Sequence, residues 1–408
     1  MFLPDLLEWP SKQIKYGLDR THRLLFYCHS PEKNFLKIQI IGTNGKGSVA
    51  AFLTQILCDA GYKVGTYTSP HLLKINERIT VNQKHIETGE MKEFISKNNQ
   101  GIETIKPSFF ETMTVMAMWY FNKKKIDIGI LETGLGGRLD SVTACKSEIL
   151  LFTAISMDHH DILGNSLKKI AFEKAQAIQK SKQIIISVQQ TKQTKIILQQ
   201  QAKALNNKIE IIDPNDYIDF QLKYLFGEHQ VENANLAYYA IQKLNKHKTI
   251  KISSKNSTDS ICKTAWHGRF QIISKKPTVI YDVAHNCLSL ESFLKAFIQY
   301  SKNRFHNTKY LICAFEYNKK IITTLKKLGK HFDTIICTET NIRKSMPINQ
   351  LAKPFKNNLK IILIKDAYVA INHIKEKAKQ EDIIAIIGSH FIAPAINRFF
   401  KNCFVHNK

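Results

Sequence analysis

Short apolar runs rich in isoleucine alternate along this chain with longer stretches in which apolar residues recur at helical spacing. That alternation predicts strands followed by helices, hence an α/β fold built on mainly parallel sheets. In the clearest unit, "FLKIQIIG" reads as a strand and a glycine-rich turn follows. "SVAAFLTQILCDAG" then places Val49, Phe52, Leu53, Ile56, Leu57 and Ala60 on one face of a helix that Gly61 ends. Further strands are expected at "YKVGTYTS", "IDIGILET", "SEILLFTAIS" and "QIIISV". A second series begins near residue 278 with "TVIYDVAH", "KYLICAF", "DTIICTE", "LKIILIK" and "DIIAIIGS", separated by helical stretches such as "LESFLKAFIQYSKN" and "AYVAINHIKEKAKQ". Between the series, "NKHKTIKISSKNSTDS" is polar and poor in large apolar residues, which puts a boundary just after it, around residues 265–275. The expected layout is a domain over residues 1–268, a linker at 269–274 and a smaller domain over 275–408, with no repeat of fixed period.

Composition narrows the class. A chain of 408 residues suffices for two or three domains, and 44% hydrophobic with 23% charged residues is an ordinary soluble balance. A net charge of +25 raises nucleic acid as a partner, but only eight of the 59 basic residues are Arg, and the Lys are scattered rather than gathered into an arm. A compositional Lys bias accounts for that better than a nucleic-acid surface, and the field would equally favour a polyanionic small substrate. Eight Cys without a C-x-x-C pair read as reduced thiols. "MFLPDLLEWPSKQ" lacks a basic segment before a long apolar run, and no apolar run approaches the ~20 residues of a membrane span. A cytoplasmic protein that binds neither membrane nor nucleic acid is expected.

The candidate chemistry gathers at strand ends. One strand runs into "GTNGKGS", which departs from the common phosphate-loop spacing G-x-x-x-x-G-K-[ST]. Lys46 for charge and Ser48 at the helix start still favour phosphate over a purely structural turn, because a helix N-terminus offers free N–H groups to anions. Other strands end in Thr68-Ser69-Pro70-His71, in Glu132 ahead of "TGLGGRLD", and in Asp158-His159-His160-Asp161. In a parallel sheet these ends share one edge, where ligands bind at a switch in strand order. Beside phosphate, Glu132 suits magnesium, which takes one or two carboxylates plus phosphate oxygens. His159 is a softer donor than magnesium prefers, and a packed or surface histidine is the better reading from the residues alone.

In a chain that prefers Lys, a retained Arg is a candidate for a place that needs a planar fork. Arg20, Arg78, Arg138 and Arg269 fall in turn-like stretches, though chance placement explains them equally well. The second series opens with "WHGRFQ" and "VIYDVAHN", which set Arg269, Asp282 and His285 at its first strand, where Arg269 and Asp282 are candidates to grip a nucleotide from the far side. Two α/β domains suit a ligase, which must bring together ATP, an acid and an amine and exclude water.

The ordered set "GLDR", "GTNGKGS", "TSPHL", "NER", "FFE", "ETGLGGRLD", "DHHDILG", "EKA", "HQVENA", "GRFQ" and "DVAHN" resembles the folylpolyglutamate synthase and dihydrofolate synthase family of the Mur-ligase superfamily, over most of the chain. The resemblance implies a P-loop-type, mostly parallel sheet domain with a pteroate pocket, then a Rossmann-like glutamate ligase domain. It implies that Asn44, Gly45, Lys46, Gly47, Ser48, Asn233, Arg269 and Asp282 bind ATP, and that Ser69, Glu132 and His159 hold metal. Lys174 corresponds to the lysine carbamylated in the superfamily. Gly17, Leu18, Asp19, Phe109, Phe110, Glu111, Leu139, Asp140 and Ser141 match the pteroate pocket of bacterial members, and His285, Arg78 and Arg138 are further catalytic or substrate candidates. The implied cofactors are ATP, two Mg²⁺ ions and a monovalent cation. The implied partners are dihydropteroate, reduced folates and L-glutamate, for a monomeric enzyme. "YGLDR" and "GGRLD" look like the bifunctional bacterial type.

The sequence departs from that pattern at Gln176, where Gly is usual, at "DSV" in place of D-A-T, and at Glu316–Lys319, where a D-K-D-like segment is usual. The rival readings are a cell-wall Mur ligase, a nucleic-acid-stimulated NTPase and a catalytically dead relative. The first usually carries an additional N-terminal domain, whereas only about forty residues precede this loop. The intact Lys46, Glu132, His159 and Lys174 weigh against the last.

Overall fold

In the computed structural model, which describes residues 17–180, 182–302, 304–317, 321–340, 345–355 and 360–404, the isoleucine-rich runs form strands. Those of the first series are β1 (Leu36–Ile41), β2 (Val64–Tyr67), β3 (Ile79–Val81), β4 (Lys84–His85), β5 (Ile128–Glu132), β6 (Ile149–Phe152), β7 (Ile184–Ser187) and β8 (Ile209–Ile211). They make one sheet in the order β4-β3-β2-β5-β1-β6-β7-β8. From β2 to β8 all pairs are parallel, while β3 and β4 join antiparallel at one edge. Ile38, Gln39, Ile40 and Ile41 of β1 are all buried, as expected of a parallel strand covered on both faces. Gln39 is tolerated there because its amide donates to the Thr133 and Thr143 hydroxyls at 3.0 and 2.9 Å.

The helix after the glycine loop spans Lys46–Asp59 and is buried on more than the one face its periodicity marked. It packs on β1, β2 and β5, and the Ser254–Lys263 helix lies over it. That second helix comes from the polar stretch that read as the approach to a boundary. The Ser253 hydroxyl caps it by accepting from Asn256 N at 3.1 Å, and Ser260 and Lys263 both reach Asp59.

By its contacts the chain divides into two compact units, Met1–Gln221 with Val231–Thr264, and Leu222–Gln230 with Ala265–Lys408. The second unit holds β9 (Gln271–Lys275), β10 (Thr278–Asp282), β11 (Lys309–Ala314), β12 (Thr334–Glu339), β13 (Ile361–Asp366) and β14 (Ile383–Gly388). Their order is β13-β12-β11-β14-β10-β9, parallel except for β9 against β10. Residues 269–274, expected as a linker, are therefore mostly strand β9 of the second sheet, paired with β10. Phe270, Phe293, Phe297, Phe315 and Phe355 fill the core of this unit. No helix of the described residues is long and apolar enough to cross a membrane.

Candidate active site

β2, β5, β1 and β6 are neighbours in the first sheet, so the four expected strand ends lie side by side on one edge. The chain passes from one side of β1 to the other between β5 and β6, which makes this edge a switch point. At its centre Gly42 and Gly45 have φ of +155° and +90°. A Cβ on Gly42 would lie 1.9 Å from Thr153 Oγ1, and one on Gly45 would lie 2.2 Å from Asn233 Oδ1. Backbone freedom and close approach thus both require glycine at these two positions. Thr43 N donates to Ala154 O at 2.9 Å, and the Thr43 hydroxyl bonds the backbone of Ser156 on both sides, with Ser156 N donating at 3.0 Å.

Two lysines converge on this loop. Lys46 Nζ donates to Thr43 O at 3.0 Å and Gly42 O at 3.4 Å, and Lys174 Nζ donates to Gly42 O at 2.7 Å. Lys174 is buried at 5% exposure, and burial, then repulsion from Lys46, brings its ammonium down to about 7 against the pull of Asp140 and Asp158. Ser48, in the first turn of the helix, is fully buried, and its hydroxyl oxygen has no hydrogen-bond partner. An orphaned hydroxyl in the first turn of the helix that this lysine-bound loop opens fits a phosphate with its cation.

Glu132, at the end of β5, is buried, and its Oε2 accepts from Ser69 N at 3.0 Å. Two of the three expected metal residues, Ser69 and Glu132, therefore meet. His159 is half exposed, left-handed at φ +49°, and its Nε2 lies 3.9 Å from Asp158 Oδ2. Among the described residues no three His, Cys, Asp or Glu are grouped as a ready metal cage. A site of one carboxylate, a serine and phosphate oxygens needs none. Gln176 takes φ −67°, open to any residue, so Lys174 keeps its place without the usual glycine.

The expected pteroate residues are brought together at the helix Asp19–Tyr27. Arg20 lies inside that helix rather than in a turn, and its guanidinium forks onto Glu111 at 3.0 and 3.1 Å. Thr21 Oγ1 donates to Ser141 Oγ at 3.2 Å, a contact that the serine of "DSV" provides. Glu111 also closes a capping box with Ser108 at the start of the Phe109–Lys123 helix. Leu18, Phe109 and Phe110 are partly buried on the core, with Leu139 partly covered and Gly17 at φ +117° ahead of the exposed Asp19. Arg78 stacks over Phe109 at 5.3 Å and donates through Nε to His71 Nδ1 at 2.9 Å.

Two of these candidates have structural work. Asp140 is buried and accepts from Leu135 N and Val142 N at 2.8 and 2.9 Å, and burial lifts its carboxyl to about 6. Arg138 pairs with Glu173 at 3.0 Å on the surface. Residue reading passed over Thr43, Thr153 and Glu77 as individual contributors, although each sits inside or beside a quoted motif.

In the second unit, Asp282 ends β10 and accepts from Phe270 N and Ala284 N, both at 2.7 Å, and burial lifts it to about 6 against the pull of Arg269. Arg269 donates to Gly268 O at 3.1 Å, and His285 Nδ1 lies 2.8 Å from Val283 O. His229 falls to about 4 through burial and then through Arg269. Of the segment Glu316–Lys319, Glu316 bridges Ser345, while Asn318 and Lys319 lie outside the described residues.

The Mur ligase middle domain matches residues 40–272, and the Mur ligase glutamate ligase domain matches residues 268–390. This pairing of domains is that of a Mur ligase. The dihydrofolate synthase/folylpolyglutamate synthase of Bacillus subtilis is 30% identical, covering 97% of this chain and 99% of its own. That of Escherichia coli is 28% identical over 94% and 91%. The solved structure of E. coli FolC in complex with DHPP and ADP superposes with a TM-score of 0.86 at 26% identity, over 97% of this chain and 96% of that one. The chain belongs to the dihydrofolate synthase/folylpolyglutamate synthase family within the Mur ligases.

Proposed function

We propose that the protein ligates L-glutamate to dihydropteroate and to the glutamate tail of reduced folates at the expense of ATP. The observation that carries this reading is the glycine loop, where two lysines meet on Gly42 O and the helix that follows starts with the buried, unpartnered Ser48 hydroxyl. Asn44, Gly45, Lys46, Gly47 and Ser48 cradle the ATP phosphates, with Asn233 against the loop. Arg269 and Asp282 serve the nucleotide and His285 the substrates. The substrate carboxylate takes the γ-phosphoryl group of ATP, and the acyl phosphate so formed is attacked by the glutamate amine with release of inorganic phosphate. Lys46 neutralises charge developing on the transferred group. Ser69, Glu132 and His159 are the residues that would hold Mg²⁺, two ions in all, with a monovalent cation as a further cofactor. Magnesium supplies Lewis-acid neutralisation of phosphoryl charge when bound.

Lys174, with its pKa brought to about 7, is about half free amine at neutrality, the form that adds carbon dioxide to give a carbamate. The pteroate ring system is assigned to the side formed by Gly17–Asp19, Phe109–Glu111 and Leu139–Ser141, with Arg78 beside it. Asp140 and Arg138 act there through the loop they hold. The first domain carries ATP and pteroate, the second the glutamate ligase function, in a monomeric cytoplasmic enzyme.

The test is product analysis with dihydropteroate and with tetrahydrofolate as separate acceptors, each with ATP, Mg²⁺ and glutamate. A glutamylated product and stoichiometric phosphate are expected from both. Absence of turnover with either acceptor would reject the assignment.

A further inference from the structure

We propose that Glu77 is a positioning residue for this ligase, its carboxylate gathering three consecutive backbone N–H groups and thereby holding the loop that carries Ser69 and His71. Glu77 Oε1 accepts from Leu73 N at 2.9 Å and Lys74 N at 2.7 Å, and Oε2 accepts from Leu72 N at 2.7 Å. Successive N–H groups that point inward form a nest for an anion, and here the anion is a side chain of the same chain.

The carboxylate has a firm base. Glu77 lies in the short turn Ile75–Arg78, whose Ile75 is buried and which runs directly into β3 at the fully buried Ile79. The side chains on either side of it tie the same turn to other segments. Asn76 Nδ2 donates to Ile86 O at 2.6 Å, and Arg78 donates to His71 Nδ1 at 2.9 Å while stacking on Phe109. Loop 69–74 is therefore held at three places: at Ser69 N by Glu132, at His71 by Arg78, and at Leu72–Lys74 by Glu77. Glu77 itself touches no reacting group in this arrangement. It acts through the loop, on the placement of Ser69 beside Glu132. A glutamine at this position keeps one acceptor oxygen but turns an NH₂ group toward backbone donors, so at least one N–H loses its partner.

The inference rests on the ligase reading above. Its experiment uses the full chain with Glu77→Gln, and Glu77→Asp as a second variant should the first fail to fold. Amide hydrogen exchange at Leu72, Leu73 and Lys74 is expected to quicken at least about tenfold, with β1 and β5 as protected as in the parent. In the ligase assay the Mg²⁺ concentration for half-maximal rate is expected to rise about tenfold, the scale found for residues that orient metal ligands, with KM for glutamate unchanged. Unchanged exchange and unchanged Mg²⁺ dependence overturn the proposal. So does faster exchange across the whole sheet with every KM moved alike, which marks general loosening. A parent protein without ligase activity would reject the reaction instead, and the exchange result still decides whether Glu77 holds the loop.

Discussion

At the scale of single residues, the glycine loop depends on two features that pull in different directions. Gly42 and Gly45 are irreplaceable for steric reasons, and Lys174, which reaches the loop from another helix, is costly to bury. Gly45→Ala puts a methyl group 2.2 Å from Asn233 Oδ1 at a φ of +90°. We expect a loss of about 1–3 kcal/mol in urea denaturation together with loss of ADP binding by calorimetry. Lys46→Ala should abolish turnover while the melting curve stays cooperative, and full activity in that variant would remove the phosphate role. Lys174 gives a pH signature. Its pKa falls from 10.5 in the open chain to about 7 in the fold, so between those values the unfolded chain binds the proton that the fold has shed. Stability therefore rises with pH across that window, and the cost of the buried charge is fully felt below pH 7. Lys174→Met removes this slope, so the variant gains most on the parent near pH 6 and least near pH 9. Denaturation curves taken at both pH values check it, and a constant difference would refute the buried-ammonium account. The residues behind these effects were visible as a motif, but the burial of Lys174 was not. A lysine near the end of a helix looks exposed until Gly42 O is placed 2.7 Å from it.

At the scale of elements, the strands were the most legible part, because a run of isoleucines bounded by turn residues has few other uses. β3, β4 and β8 escaped notice because they are only three, two and three residues long, too short to display a period. The turn between β3 and β4 is Asn82-Gln83, both at positive φ, rather than the Asn-Gly that signals a tight hairpin. The Ser254–Lys263 helix shows the opposite failure, since tertiary contacts stabilise a helix that its polar sequence hardly advertises. Its attachment through Asp59 predicts a coupling. Asp59→Ala and Ser260→Ala should each cost about 1 kcal/mol in urea melts, and the double variant should cost less than their sum. Strict additivity would mean that the contact contributes nothing in solution.

At the scale of the whole molecule, the net charge of +25 is the property most open to a wrong reading. It suits polyanionic substrates such as ATP and folates at least as well as nucleic acid. RNA is expected to leave ATP turnover unchanged in the absence of glutamate, and stimulation by RNA would revive the nucleic-acid reading. Mass action gives a second expectation. ADP with Mg²⁺ at a hundredfold excess over Kd should stabilise the protein by about 2.7 kcal/mol, seen as a higher melting temperature, and Lys46→Ala should show no such rise.

The chain's letters alone determined the α/β alternation, the glycine loop and the family, because these depend on local spacing and on residue types in order. Only the tertiary structure decided which strand ends adjoin and that Arg20 meets Glu111 and Thr21 meets Ser141. Those facts depend on sheet order and on contacts between segments as much as 120 residues apart, and no local pattern encodes either.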